Sequence, residues 1–335
     1  MENCLKSEIR RILEYEKENV TEQVYFHLVA LFDGFADVTF EKNLPVDGIK
    51  KLLHKYLSLI KQELANPYPF GIYHQQETSP IDFYSFSIDF FSPFIDKNEC
   101  NILGKDHIGE ILEILEKGEN VILLANHQTE ADPTLLGVLL DDEYPGLIRK
   151  MTAIAGARVT SDPVVTPMTR GQNIICVYSK RYFDHHPEKM KEMQQHNSSA
   201  MIQLRHLLSE GGKLIYIAPS GGRDRKNDEG ILFPAHFNPD SIELMRIVGE
   251  KAERKTHFFP LAMHTYRVLP PPEKVKKEIG EERKLCHSPI HIAFGKEIHM
   301  NPPSPEEKKD KELFRVKQAS AIYSEVVALY NTITT

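Results

Sequence analysis

The sequence predicts an α/β protein, a mixed and mostly parallel sheet flanked by helices and preceded by a small amino-terminal helical bundle. Two observations carry this expectation. Up to Asn66 the apolar side chains recur every three or four residues, which is the period of amphipathic helices. Beyond residue 100 strand-length apolar runs alternate with longer amphipathic stretches, the pattern of helices packed on a largely parallel sheet.

The first helices are read over Leu5–Glu18 and Val24–Phe32, and a third is marked by Ile49, Leu52, Leu53, Tyr56, Leu57, Ile60 and Leu64. Asn66-Pro67-Tyr68-Pro69 closes this lobe, because proline and the residue before it both resist helix continuation. A loop rich in Ser, Pro and aromatics is expected from there to about residue 96. Strands are predicted at Val121–Ala125, Asn173–Tyr178, Lys213–Ala218, Phe258–Met263 and Ile290–Phe294. Helices are predicted from Asp106 to Gly118, after Asn238-Pro239 (where Asn caps and Pro suits the first turn) and from Pro305 to Tyr330. The expected division is a helical lobe at residues 1–78 and an α/β domain at 79–335, with ligands at the carboxyl ends of the strands.

Bulk properties narrow the function. A net charge of −7 argues against a purely electrostatic nucleic-acid binder. The longest apolar runs are strand-length, too short to span a bilayer, so at most peripheral membrane contact is expected. Cys4, Cys100, Cys176 and Cys286 stand far apart, which suits a reducing compartment and no metal knuckle. The amino terminus carries Glu throughout and reads as neither signal nor transit peptide, so the expected location is cytoplasmic, or the plastid stroma after processing.

Three loops could carry chemistry. Asn126-His127-Gln128-Thr129-Glu130-Ala131-Asp132-Pro133 follows a strand, and Asp132 at this spacing can fold back to hold one nitrogen of His127 while the other takes a proton. One such pair among fifteen histidines also arises by chance. The second loop is Ile217-Ala218-Pro219-Ser220-Gly221-Gly222-Arg223-Asp224-Arg225. Its glycines let amides approach a ligand and its arginines offer forked donors to a phosphate, although Arg223 and Arg225 paired with Asp224 and Asp228 on a solvated hairpin is the commoner outcome for one charged loop. The third runs from Arg170 through Ile174–Tyr178 to Ser179-Lys180-Arg181-Tyr182. No Gly-x-Ser-x-Gly elbow and no H-E-x-x-H pair is present, so neither a serine nucleophile nor a metal site is expected.

Taken together and in this order, these loops resemble those of the soluble plastid-type glycerol-3-phosphate 1-acyltransferase family, which also has relatives in some intracellular bacteria. The first two blocks match over eight and nine residues, and Ile175–Lys180 and Phe259-Pro260-Leu261-Ala262 look like further family blocks. The resemblance implies acyl transfer from acyl carrier protein, or from coenzyme A, to the C1 hydroxyl of glycerol 3-phosphate, without cofactor or metal. It implies His127 and Asp132 as the catalytic dyad and Arg223 and Arg225 at the substrate phosphate. Where the family has Lys then His after Tyr-Ser-Lys, this chain has Arg181 and Tyr182, so Lys180 and Arg181 are the cations expected there. Backbone amides near Gly221 and Gly222, or in the turn after His127, could serve the oxyanion. Lys274, Lys276, Lys277, Arg283 and Lys284 form a candidate dock for an acidic carrier, or a solvated surface. The rival readings are a 1-acylglycerol-3-phosphate acyltransferase, which shares the His-x4-Asp logic, and a non-catalytic module that binds acyl carrier protein.

Overall fold

The computed structural model describes residues 2–179, 187–272 and 283–334. In chain order the helices are α1 Glu2–Tyr15, α2 Glu22–Glu41, α3 Val46–Ala65, α4 Phe83–Phe91, α5 Lys105–Glu116, α6 Asp132–Leu140, α7 Thr166–Thr169, α8 Met190–Glu210, α9 Pro239–Glu250 and α10 Lys311–Thr334. The strands are β1 Tyr73–His74, β2 Asn101–Leu103, β3 Asn120–Ala125, β4 Thr152–Gly156, β5 Asn173–Val177, β6 Leu214–Ile217, β7 Arg225–Lys226, β8 Leu232–Phe233, β9 Thr256–His264 and β10 His291–Phe294.

Eight strands form one sheet in the order β1-β5-β4-β6-β3-β9-β10-β2, and β7 and β8 form a separate hairpin. The five inner strands from β5 to β9 run parallel, whereas β1 and β10 pair antiparallel with their inward neighbours, which makes the sheet mixed but mostly parallel. Strand β3 is buried on both faces, as expected of a central strand covered by helices on each side. Its alternation sorts the core into two layers. Val121, Leu123 and Ala125 face a cluster shared with the amino-terminal helices, α5 and α6, while Ile122 and Leu124 face one shared with α8, α9 and α10.

Register places the functional loops. Leu124 pairs with Ile217 of β6 and Ala125 with Leu261 of β9, so the segments after β3, β6 and β9 leave the sheet side by side. This is the carboxyl edge where open α/β sheets hold ligands.

The structure departs from the sequence reading in several places. The expected loop up to residue 96 contains α4, whose amino terminus is capped by Asp82 accepting from the Ser85 amide. Helix α8 and strand β4 were not predicted. The last helix starts at Lys311 after a 3-10 turn at Glu307–Lys309 and runs to Thr334, rather than from Pro305 to Tyr330. No described helix is long and apolar enough to cross a membrane.

Candidate active site

His127 stands just past β3, and its Nδ1 lies 2.8 Å from Asp132 Oδ2. Asp132 opens α6 with no exposed surface, and it also accepts from the amides of Gln128 (2.8 Å) and Thr129 (3.2 Å) and from the Thr265 hydroxyl (2.6 Å). A carboxylate that only accepts makes Nδ1 the protonated nitrogen, leaving Nε2 to take a proton. The two neighbours of His127 fix its backbone. Asn126 exchanges hydrogen bonds with both backbone groups of Met263, and Gln128 accepts from the Thr265 and Tyr266 amides while donating to the Tyr330 hydroxyl of α10. The imidazole is 26% exposed, enough for one edge to meet a substrate.

The loop after β6 is joined to this assembly by Asp224. Its amide donates to the His127 carbonyl at 2.5 Å, and its buried carboxylate accepts from Asn126 Nδ2 and from the Ala235 amide, each at 2.8 Å. Gly221 makes the turn with a φ of +65°, a conformation that glycine adopts without strain. The Gly221 amide donates to the Ala218 carbonyl within its own turn. The alternative of Asp224 as a partner on a solvated hairpin is corrected, because its carboxylate is buried and bonded to Asn126 and Ala235.

Arg223 lies within electrostatic reach of Glu130, inside the His127–Asp132 loop, and an Arg225 Nη1 donates to the Pro272 carbonyl at 2.5 Å. Lys180, Arg181 and Tyr182 lie outside the described residues, as do Lys274, Lys276 and Lys277. Arg283 does not belong to a surface patch. It is buried between Glu130 and Asp162, while Lys284 beside it is exposed. Asp224, Thr265, Gln128 and the Glu130–Arg283–Asp162 group are the site residues that the sequence did not reveal.

A cavity of about 590 Å³, mostly apolar, reaches His127. Leu31, Tyr56 and Phe90 line it from the amino-terminal helices, Ala153 and Ala155 from β4, and Met201 and Met245 from α8 and α9. The small residues of β4 leave this space open. Its size and lining suit an apolar ligand of substrate dimensions. Among the described residues no three His, Cys, Asp or Glu side chains are grouped to hold a metal ion.

Burial raises the Asp224 carboxyl to about 6, against the two N–H donors that favour its charge. The unfolded chain would titrate near the ordinary value of about 3.9, so between these values the folded protein binds the extra proton and stability falls as pH rises. Asp224→Asn removes that ionisation. The wild type should therefore lose about 2–3 kcal/mol relative to this variant between pH 4 and 6.5. Denaturant unfolding of both proteins across this range checks it, and a difference constant with pH would refute it.

A helix-covered, mostly parallel sheet with a His–Asp pair at its carboxyl edge and an apolar cavity reaching that pair is an arrangement compatible with acyl transfer. Residues 108–272, which include the dyad and the Arg-Asp-Arg loop, match the family described as Acyltransferase. Over 332 residues the chain is 32% identical to the chloroplastic glycerol-3-phosphate acyltransferase of Spinacia oleracea, covering 98% of this chain and 70% of that protein. It is 33% identical over 336 residues to glycerol-3-phosphate acyltransferase ATS12, chloroplastic, of Cucurbita moschata (99% and 71%), and 34% identical over 281 residues to the chloroplastic protein of Arabidopsis thaliana (82% and 59%). The chain belongs to the glycerol-3-phosphate acyltransferase family.

Proposed function

We propose that this chain moves a fatty acyl group from the thioester of acyl carrier protein or coenzyme A to the C1 hydroxyl of sn-glycerol 3-phosphate, giving 1-acylglycerol 3-phosphate. The acceptor oxygen attacks the thioester carbonyl as His127 Nε2 takes its proton. Asp132 holds the imidazole and stabilises the imidazolium. The C–O bond forms, the C–S bond breaks, and the proton passes to the departing sulfur. Arg223 and Arg225, joined by Lys180 and Arg181, bind the phosphate and so fix the reacting hydroxyl. The acyl chain occupies the apolar cavity. With an acceptor and both carriers soluble in water, the proposed place of action is the cytoplasm or the plastid stroma.

The observation that carries this reading is the bond from the Asp224 amide to the His127 carbonyl, because it ties the loop bearing Arg223 and Arg225 to the loop bearing the dyad. The test is the separate dependence on the two substrates. Replacing Arg223 or Arg225 by Ala should weaken glycerol 3-phosphate binding by about 1.5–3 kcal/mol, the worth of hydrogen bonds to a charged group. The donor's apparent affinity should stay within about twofold, since its binding energy comes from other contacts. A collapse of donor affinity with acceptor affinity intact would assign the arginines to the carrier instead. Rates measured with the two donors side by side decide between carrier protein and coenzyme A.

A further inference from the structure

One residue of the catalytic loop reaches away from the dyad. Between His127 and Asp132, Gln128 is fixed by the segment after β9, Thr129 donates its amide to Asp132, and the Ala131 amide donates to the Thr129 hydroxyl. Glu130 instead turns to Arg283. The guanidinium Nε donates to Glu130 Oε1, and Nη2 reaches Glu130 Oε2 at 3.2 Å and Asp162 Oδ2 at 2.9 Å. All three side chains are largely removed from solvent, at 9% exposed for Arg283, 16% for Glu130 and 6% for Asp162.

The group that Arg283 holds on its other side belongs to the cavity wall. Asp162 Oδ1 accepts from the Val164 amide, and its carbonyl accepts from the amides of Val165 and Thr166. Val164 and Val165 line the cavity, as do Glu130 and Arg283 themselves. The Tyr56 hydroxyl of α3 donates to the Val164 carbonyl at 2.6 Å, which joins the amino-terminal helices to the same wall. Two residues on from Arg283, the Leu285 carbonyl lies so close to Gly34 of α2 that a Cβ there would stand 2.6 Å from its oxygen. The backbone two residues after Arg283 thus packs closely on α2, while the Arg283 side chain holds the catalytic loop.

We infer that Arg283 is a positioning residue for acyl transfer, one that sets the aim of His127 by clamping Glu130 of the catalytic loop to the Asp162 segment of the cavity wall. The inference rests on His127 being the base proposed above. Arg283 acts through the loop and does not touch the acceptor's phosphate. Its loss removes the cation that the two buried carboxylates share and leaves on Glu130 only the weaker pull of Arg223 and Arg158, so the carboxylates are no longer drawn together and Glu130 moves, and the loop with it. Proton transfer depends on the hydroxyl lying within hydrogen-bond reach of Nε2, so a displacement of about 1 Å costs on the order of a hundredfold in rate.

Arg283→Lys keeps the charge but cannot span two carboxylates with one planar fork. Glu130→Gln keeps the shape of the loop residue and removes the charge that Arg283 grips, and it serves where the lysine variant does not fold. In either variant, assayed well below its melting temperature, kcat should fall roughly tenfold to a hundredfold while KM for glycerol 3-phosphate changes less than about twofold. In a His127→Ala background the same substitution should have almost no further effect on the residual rate, because residues acting as one unit are not additive. Wild-type kcat in folded variants, a KM change in place of the kcat change, or an unchanged loss in the His127→Ala background would each overturn the clamp. An active His127→Ala protein would overturn the general-base reading itself, so the two failures are told apart.

Discussion

His127→Ala should lower turnover by about 10³-fold or more, a loss of about 4 kcal/mol of transition-state stabilisation, while the fold and the affinity for glycerol 3-phosphate persist. The fold persists because Asp132 keeps three donors once the imidazole is gone, namely the Gln128 and Thr129 amides and the Thr265 hydroxyl. Acceptor binding persists because the phosphate supplies most of it. Thiol release from the acyl donor reads the first quantity, and calorimetric titration with glycerol 3-phosphate reads the second. A variant retaining a tenth or so of wild-type turnover would remove His127 from the proton-transfer role, since a general base is worth about 10²–10⁴.

The parts of this fold legible in the sequence are those whose burial is uniform along the chain. Val121–Ala125, Lys213–Ala218 and Phe258–Met263 read as strands because β3, β6 and most of β9 are covered on both faces and need apolar residues throughout. Strand β4 has the same central place but reads Thr-Ala-Ile-Ala-Gly, because its small residues border a cavity instead of filling a core. Helix α4 was hidden for the opposite reason. Phe83, Tyr84, Phe86, Phe90 and Phe91 are all buried, so its apolar face is too wide to show a period, and the prolines near it favour a loop.

The site divides in the same way. His127 and Asp132 are close in sequence, so their spacing could suggest their contact, and the structure brings them to 2.8 Å. Asp224 gave the wrong signal, since an acid between two arginines looks like their partner until burial directs it to Asn126 and Ala235. Arg283 gave none. Its partners Glu130 and Asp162 are 153 and 121 residues away, and no local pattern encodes a contact made only when such distant segments pack together.

The second large effect separates the charge of Asp132 from its shape. Of the four groups that donate to this carboxylate, only Thr265 has a hydroxyl that can turn from donor to acceptor. Asp132→Asn can therefore keep its carbonyl oxygen on His127 Nδ1 and the Gln128 amide, with its NH₂ directed at Thr265 Oγ1. The fold should survive with a loss of about 1–2 kcal/mol, the scale of weakening a shared amide bond and one hydroxyl bond. Turnover should nevertheless fall by about 10²–10⁴, because the imidazolium formed during attack loses the negative charge beside it. Adding Thr265→Val tests the explanation of why the single variant folds. With no acceptor opposite the new NH₂, the double variant should lose about 1–3 kcal/mol beyond the sum of the two single changes, as a buried unsatisfied donor requires. Chemical denaturation of the four proteins measures that coupling. Simple additivity would mean that Thr265 does not rescue the amide, and near-normal turnover in Asp132→Asn would show that the charge of Asp132 is not needed for the reaction.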